Sequence, residues 1–153
     1  MPGFPQLPCP VPPGFLLGFN LDNLAVDPLI ASQAPPPPSP IVPATMNITA
    51  TFRAAGWVYI LLRNLPGGFP FQVQFTAESM GPGPEVVLCT TNLNLNAGFA
   101  PSAACAGAFD YAIALNVNPP PAGSTYKVAG NVIFPNPFML GAAFAEGPMI
   151  RSI

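Results

Sequence analysis

The sequence predicts an all-β protein. We expect an antiparallel β-sandwich or jelly-roll-like domain of about eight strands, preceded by an extended proline-rich arm. Three observations lead there. The 153 residues include 24 prolines and 14 glycines, spread along the chain. Proline is excluded from helix interiors and central strands, so elements must be short and joined by turns. Apolar and polar residues alternate with a period of two in several separate runs, each bounded by Pro, Gly or Asn. Half of the residues are hydrophobic and only 7% are charged, which excludes ordinary disorder, a state poor in apolar residues and rich in charge.

Composition divides the chain near residue 45. Residues 1–45 hold thirteen of the prolines, and their only charges are Asp22 and Asp27. Residues 46–153 read as the β-sandwich domain. Within the arm, "APPPPSP" (34–40) predicts a polyproline II spacer of roughly 20 Å, from a rise of about 3.1 Å per residue. Upstream lies "GFLLGFNLD" (14–22), where Phe15, Leu17, Phe19 and Leu21 fall on one side and Leu16, Gly18, Asn20 and Asp22 on the other. That is the pattern of a half-buried strand. The segment 21–34 has room for one helical turn, limited by Pro28.

The domain reads as strands in succession. "NITATFR" (47–53) puts Ile48, Ala50 and Phe52 inward and Asn47, Thr49, Thr51 and Arg53 outward. "WVYILLR" (57–63) is apolar on both faces, the pattern of a doubly covered strand with Trp57 in the core. "NLPGG" (64–68) turns the chain. "FPFQVQFTA" (69–77) alternates Phe69, Phe71, Val73, Phe75 and Ala77 with Gln72, Gln74 and Thr76. "ESMGPGPE" (78–85) is a loop, "VVLCT" (86–90) a short strand, and "TNLNLNAG" (91–98) an extension of it or a turn away. After the small-residue loop 99–108, "FDYAIALNV" (109–117) turns Phe109, Tyr111, Ile113, Leu115 and Val117 inward. "NPPPAGS" (118–124) is a turn, and "TYKVAGNVIF" (125–134) follows. After the turn "PNP" (135–137), two last strands, 138–144 and 148–153, flank the break "EGP". No helix is predicted.

The same residues exclude several kinds of function. Four basic residues and no histidine argue against nucleic acid, where affinity rests on Lys and Arg neutralising phosphates. No apolar run reaches the roughly 18–20 residues of a membrane-spanning helix. No basic n-region followed by an unbroken apolar run marks a secretory signal. With no histidine, and Lys127 the one lysine, general acid–base catalysis has few players. Glu78 and Glu85 border one loop and could sit close together, but they read as solubilising loop charges. G-x-S-x-G and phosphate-loop motifs are absent. No enzyme activity, cofactor or metal site is expected. "NIT" (47–49) matches a glycosylation sequon on the same residues that start a strand. The asparagines 92, 94 and 96 share one strand face, which suits a solvated surface or a glycan contact.

Three cysteines, Cys9, Cys89 and Cys105, are an odd number. Cys89 and Cys105 flank a loop and can bridge if their strands are adjacent. Cys9 is then left over for an intermolecular bond; the alternative is three reduced cysteines serving as small hydrophobes.

The arm gives the functional expectation. It either folds back as an edge strand of its own domain or crosses to complete a neighbour's sheet, as in β-strand addition. Crossing is the expectation, because a stiff spacer hinders folding back and a sparsely charged surface suits a protein buried among its own copies. Deleting residues 1–33 is then expected to leave a folded monomer. The layout of an N-terminal extension before a β-sandwich resembles that of donor-strand surface filaments, without a shared motif. The chain is therefore expected to be a structural subunit of an extracellular filament, sheath or cell-surface layer, with copies of itself as partners and Phe15, Leu17, Phe19 and Leu21 as the contact arm. A virion capsid, decoration or tail protein is the first alternative. A carbohydrate-binding module or adhesin is the second.

Overall fold

A computed structural model describes residues 18–28, 41–42, 45–66, 68–81, 83–95, 98–133 and 143–152. Along these residues run β1 (Gly18–Asp27), β2 (Ile41–Val42), β3 (Met46–Ala55), α1 (Trp57–Leu62) and β4 (Phe69–Ser79). They continue with β5 (Val86–Leu95), β6 (Ala100–Pro101), β7 (Ala108–Val117), β8 (Thr125–Ile133) and β9 (Ala143–Ser152). Two sheets result, with strand orders β1-β3-β7-β6 and β2-β9-β8-β4-β5. Every pairing is antiparallel except the two-residue contact of β2 with β9. The fold class is the one the sequence predicts.

Alternation places the core between the sheets. Met46, Ile48, Ala50 and Phe52 of β3 are buried, while Asn47 and Thr49 are exposed. On β4, Phe71, Val73, Phe75 and Ala77 are buried, with Gln72 and Gln74 on the outer side. Ile113 and Val117 of β7 and Tyr126, Val128 and Val132 of β8 complete this core. Phe52 sits at its centre, stacked on Phe71 at a ring separation of 4.7 Å and meeting Phe99 edge-on at 5.7 Å. Offset and edge-on aromatic pairs of this kind add stabilisation beyond the area they bury. β5 is one continuous strand, so "TNLNL" extends it.

Three expectations are corrected. The segment expected as a doubly covered strand, 57–63, instead holds the helix α1. A short apolar run cannot be assigned by periodicity alone. Here Gly56, at φ 104°, ends β3 in a conformation that residues with a Cβ rarely adopt. The helix then buries Tyr59 completely and leaves Ile60 and Leu61 exposed. Second, residues 138–142 lie outside the described residues, and the expected break "EGP" (146–148) falls within one strand, β9, over residues 143–152. Its pairing with β8 slips by one residue between Lys127 and Ala129, so Gly147 and Pro148 fall at a bulge, where a sheet tolerates proline. Third, the arm strand, expected to end at Asp22, runs on to Asp27 as β1 and is built into the sandwich, so the sandwich recruits part of residues 1–45, while residues 14–17 lie outside the described residues. The spacer 34–40 and the turn 135–137 lie outside the described residues.

Candidate assembly site: the arm strand, its sockets and its anchor

Among the described residues β1 is an edge strand, paired antiparallel with β3 so that Leu21 stands opposite Phe52 and Val26 opposite Ile48. The register slips between Asp22 and Ala25, around Asn23 at φ 54°. Asn is among the few residues that enter this left-handed region readily. The Asn23 backbone N–H donates to the Asp22 carboxylate at 2.9 Å. The extra residue resets the alternation, so the core-directed side chains are Phe19, Leu21, Leu24 and Val26. Leu21 is fully buried and Phe19 stacks on Phe52 at 5.6 Å. Of the four residues expected to form the contact arm, Phe19 and Leu21 thus pack into the core, while Phe15 and Leu17 lie outside the described residues.

Two glycines of the opposite sheet make room for this strand. A Cβ at Gly130 would stand 2.7 Å from Leu21 Cδ2 and 3.0 Å from Phe75 Cε1. A Cβ at Gly147 would stand 3.0 Å from Leu24 Cγ and 3.2 Å from the Val128 carbonyl oxygen. Leu21 and Leu24 are therefore knobs, and the missing side chains of β8 and β9 are the floors of their sockets. Glycine in a strand often marks such a close approach.

An ion cluster fastens the outer side. Arg53 falls on the outer face, as its parity predicts, yet it is 1% exposed. Its Nε donates to Asp110 Oδ1 at 2.7 Å and to Ser102 Oγ at 3.1 Å, and its Nη2 donates to Asp110 Oδ2 at 3.3 Å. Its Nη1 donates to Asp22 Oδ2 at 3.3 Å, which ties β1 to β3 and β7. Burial alone would depress the guanidinium pKa. The hydrogen bonds and charges of Asp110, and then of Asp22, outweigh it and hold the pKa above its ordinary value. A buried charge needs such paired and hydrogen-bonded surroundings. The other described ion pair, Lys127 to Glu146 at 2.9 Å, is partly exposed and of a kind that contributes little.

At the end of β3, Tyr59 lies against Phe99 and Phe109, with the Arg63 guanidinium 4.3 Å from the Phe109 ring centre. The Tyr59 hydroxyl is buried without a hydrogen-bond partner among the described residues. Burial pushes its pKa up to about 12, against the opposing charge of Arg63.

The cysteine expectation is corrected. Cys105 is disulfide-bonded and Cys89 is free, so the two do not bridge each other. The reason is topological. Cys89 lies on β5 of the five-stranded sheet, whereas Cys105 is buried beside Ala55 and Ala108 at the turn into β7 of the other sheet. Cys9 lies outside the described residues. Glu78 and Glu85 are both exposed, as are Asn92 and Asn94, while Asn96 is outside the described residues.

Sequence reading missed Arg53 as a buried group, and it missed Leu24, Gly130 and Gly147. The Asn following Asp22 was the one local sign of a bulge. Nothing local marks a glycine as a socket, because the knob arrives from a distant strand. In comparisons with known proteins, no family model matches the chain and no curated protein matches it. No helix among the described residues is long and apolar enough to cross a membrane.

Proposed function

We propose that the chain is a structural subunit that assembles with copies of itself into an extracellular filament, sheath or surface layer by exchanging its arm strand. The observation that carries this reading is the fit of β1. It is an edge strand whose leucines enter glycine-floored sockets and whose Asp22 reaches a buried arginine. It is joined to β3 through residues 28–45, seven of which are proline. Folded back, the strand fills its own sheet. Crossing over, it makes the same contacts in a neighbour, and linker geometry sets the balance between the two. A strand passed from each copy to the next is a heterologous contact, which closes into rings or runs on as a filament. A chain that gives its strand away leaves Leu21's place empty in the core, so each subunit must receive one. The disulfide at Cys105 supports an oxidising, extracellular setting.

The test is a covalent trap across the β1–β3 pairing. Ala25 and Thr49 are register partners and both are exposed. The Ala25→Cys/Thr49→Cys variant, made in a Cys89→Ser background, is oxidised under assembly conditions and run on a denaturing, non-reducing gel. Exchange gives a ladder of linked chains. Cross-linked monomers alone would refute it.

A carbohydrate-binding reading rests on the outer face of the five-stranded sheet. Gln72, Gln74, Asn92 and Asn94 offer amides there, and Gln74 Nε2 is 3.5 Å from Thr90 Oγ1. Saturable binding of neutral glycans, lost in Gln72→Ala/Asn92→Ala, would support that reading.

A further inference from the structure

The edges of the two sheets are not equally protected. β1 carries Asp22 and Asp27 and is kinked at Asn23. β2 and β6 are two residues long. β9, beside β2, is bulged at Gly147 and Pro148 and bears Glu146 and Arg151. Short edges, charges, prolines and bulges are the devices that keep sheets from pairing with other chains. β5 lacks most of them. Its ten residues, VVLCTTNLNL, hold no charge, proline or glycine. Its one irregularity lies near the start, and from Cys89 to Leu95 its register with β4 is unbroken. Among the described residues no strand flanks its far side.

The core is also thinly covered there. Leu88, Cys89 and Leu93 of β5 pack against the core yet are only partly buried, as are Tyr111 and Leu115 of β7. β1 packs against β9, which closes the opposite side of the sandwich, whereas among the described residues no strand closes the β5 side.

We propose that β5 pairs antiparallel with β5 of a second copy about a two-fold axis, which joins two five-stranded sheets into one. The strand suits itself as a partner. Its Thr and Asn side chains lie on one face and Leu, Thr and Cys on the other from residue 89 onward. An isologous contact therefore sets polar against polar and apolar against apolar, with no charge to repel. The size is sufficient. Ten residues span about 34 Å at about 3.4 Å each, and two sheets about 10 Å apart present a side roughly 20 Å wide with their side chains. Each copy then buries roughly 650 Å², and the pair reaches the lower part of the standard range of about 1,200–2,000 Å². This contact is distinct from arm exchange and does not depend on it.

The experiment uses the full-length chain, with Thr90→Lys/Asn92→Lys as the variant. Both positions are exposed, so the folded monomer accommodates the lysines, whereas across the axis they bring like charges together. Sedimentation equilibrium should show the wild type pairing and the variant's dissociation constant raised on the order of tenfold or more, with the circular dichroism of the two alike. Hydrogen exchange should show alternate amides between Cys89 and Leu95 protected in the wild type and fast in the variant. A wild type with fast-exchanging β5 amides at every concentration would overturn the proposal, as would a variant that sediments and exchanges like the wild type. The Ala25→Cys/Thr49→Cys trap reads only the arm, so its failure leaves this contact standing.

Discussion

Replacing Gly130 with alanine should loosen the arm strand selectively. The added methyl would stand 2.7 Å from Leu21 Cδ2 and 3.0 Å from Phe75 Cε1, where ordinary contact begins at 3.4 Å. Phe75 is on β4, hemmed between β5 and β8, whereas Leu21 is on an edge strand, so β1 is the side that yields. Overpacking of a filled core costs about 1–3 kcal/mol. If β1 bears that cost, its docking constant falls about 5- to 150-fold. Hydrogen exchange of the full-length protein, resolved by peptide, reads this as faster exchange over residues 18–27 with β4 and β8 little changed. A second variant tests the partner. Leu21→Ala alone should destabilise the sandwich by about 2–5 kcal/mol. Combined with Gly130→Ala it should remove most of the alanine's penalty, because the clashing Cδ2 is gone, giving a coupling of about 0.5–3 kcal/mol. Strict additivity would show that the methyl strikes Phe75 and not the arm, and the socket would then be refuted.

Four further outcomes are expected. Asp110→Ala should lower urea stability by about 3 kcal/mol or more, since it strips the shortest partner from a buried arginine. Asp22→Ala, which removes a 3.3 Å contact to a carboxylate 37% exposed and the 2.9 Å acceptor of the exposed Asn23 N–H, should cost about 1 kcal/mol or less. The reverse order would contradict the anchor as described. Tyr59→Phe should leave stability unchanged or raise it by up to about 1–3 kcal/mol, because it deletes a buried hydroxyl that lacks a partner among the described residues, and thermal melts decide this. In the wild type the raised Tyr59 pKa predicts a loss of stability at alkaline pH. The neutral phenol's contribution is complete below pH 10.0 and fades as pH climbs towards about 12, which chemical denaturation across that window measures. Finally, a thiol reagent applied without reductant should label Cys89 and spare Cys105, as read by peptide mapping. The opposite labelling would overturn the assignment of the free thiol.

The sequence by itself determined the strands whose alternation survives intact. Ile48, Ala50 and Phe52, or Phe71, Val73 and Phe75, announce one buried face because a strand's side chains alternate whatever it pairs with. Proline and glycine set the turns for equally local reasons. "WVYILLR" carried no such period, and a helix formed once Gly56 had ended β3. Tertiary structure decided everything that depends on distant partners. It set Leu21 over Gly130 and Leu24 over Gly147. It buried Arg53 between aspartates supplied by strands on either side of it, and it put Cys89 on one sheet and Cys105 at a turn of the other. It also brought β1 onto β3 in the single chain. The physical reason is range. Periodicity is written into neighbouring residues, whereas a socket, an ion pair or a disulfide exists only where the fold brings remote residues within a few ångströms.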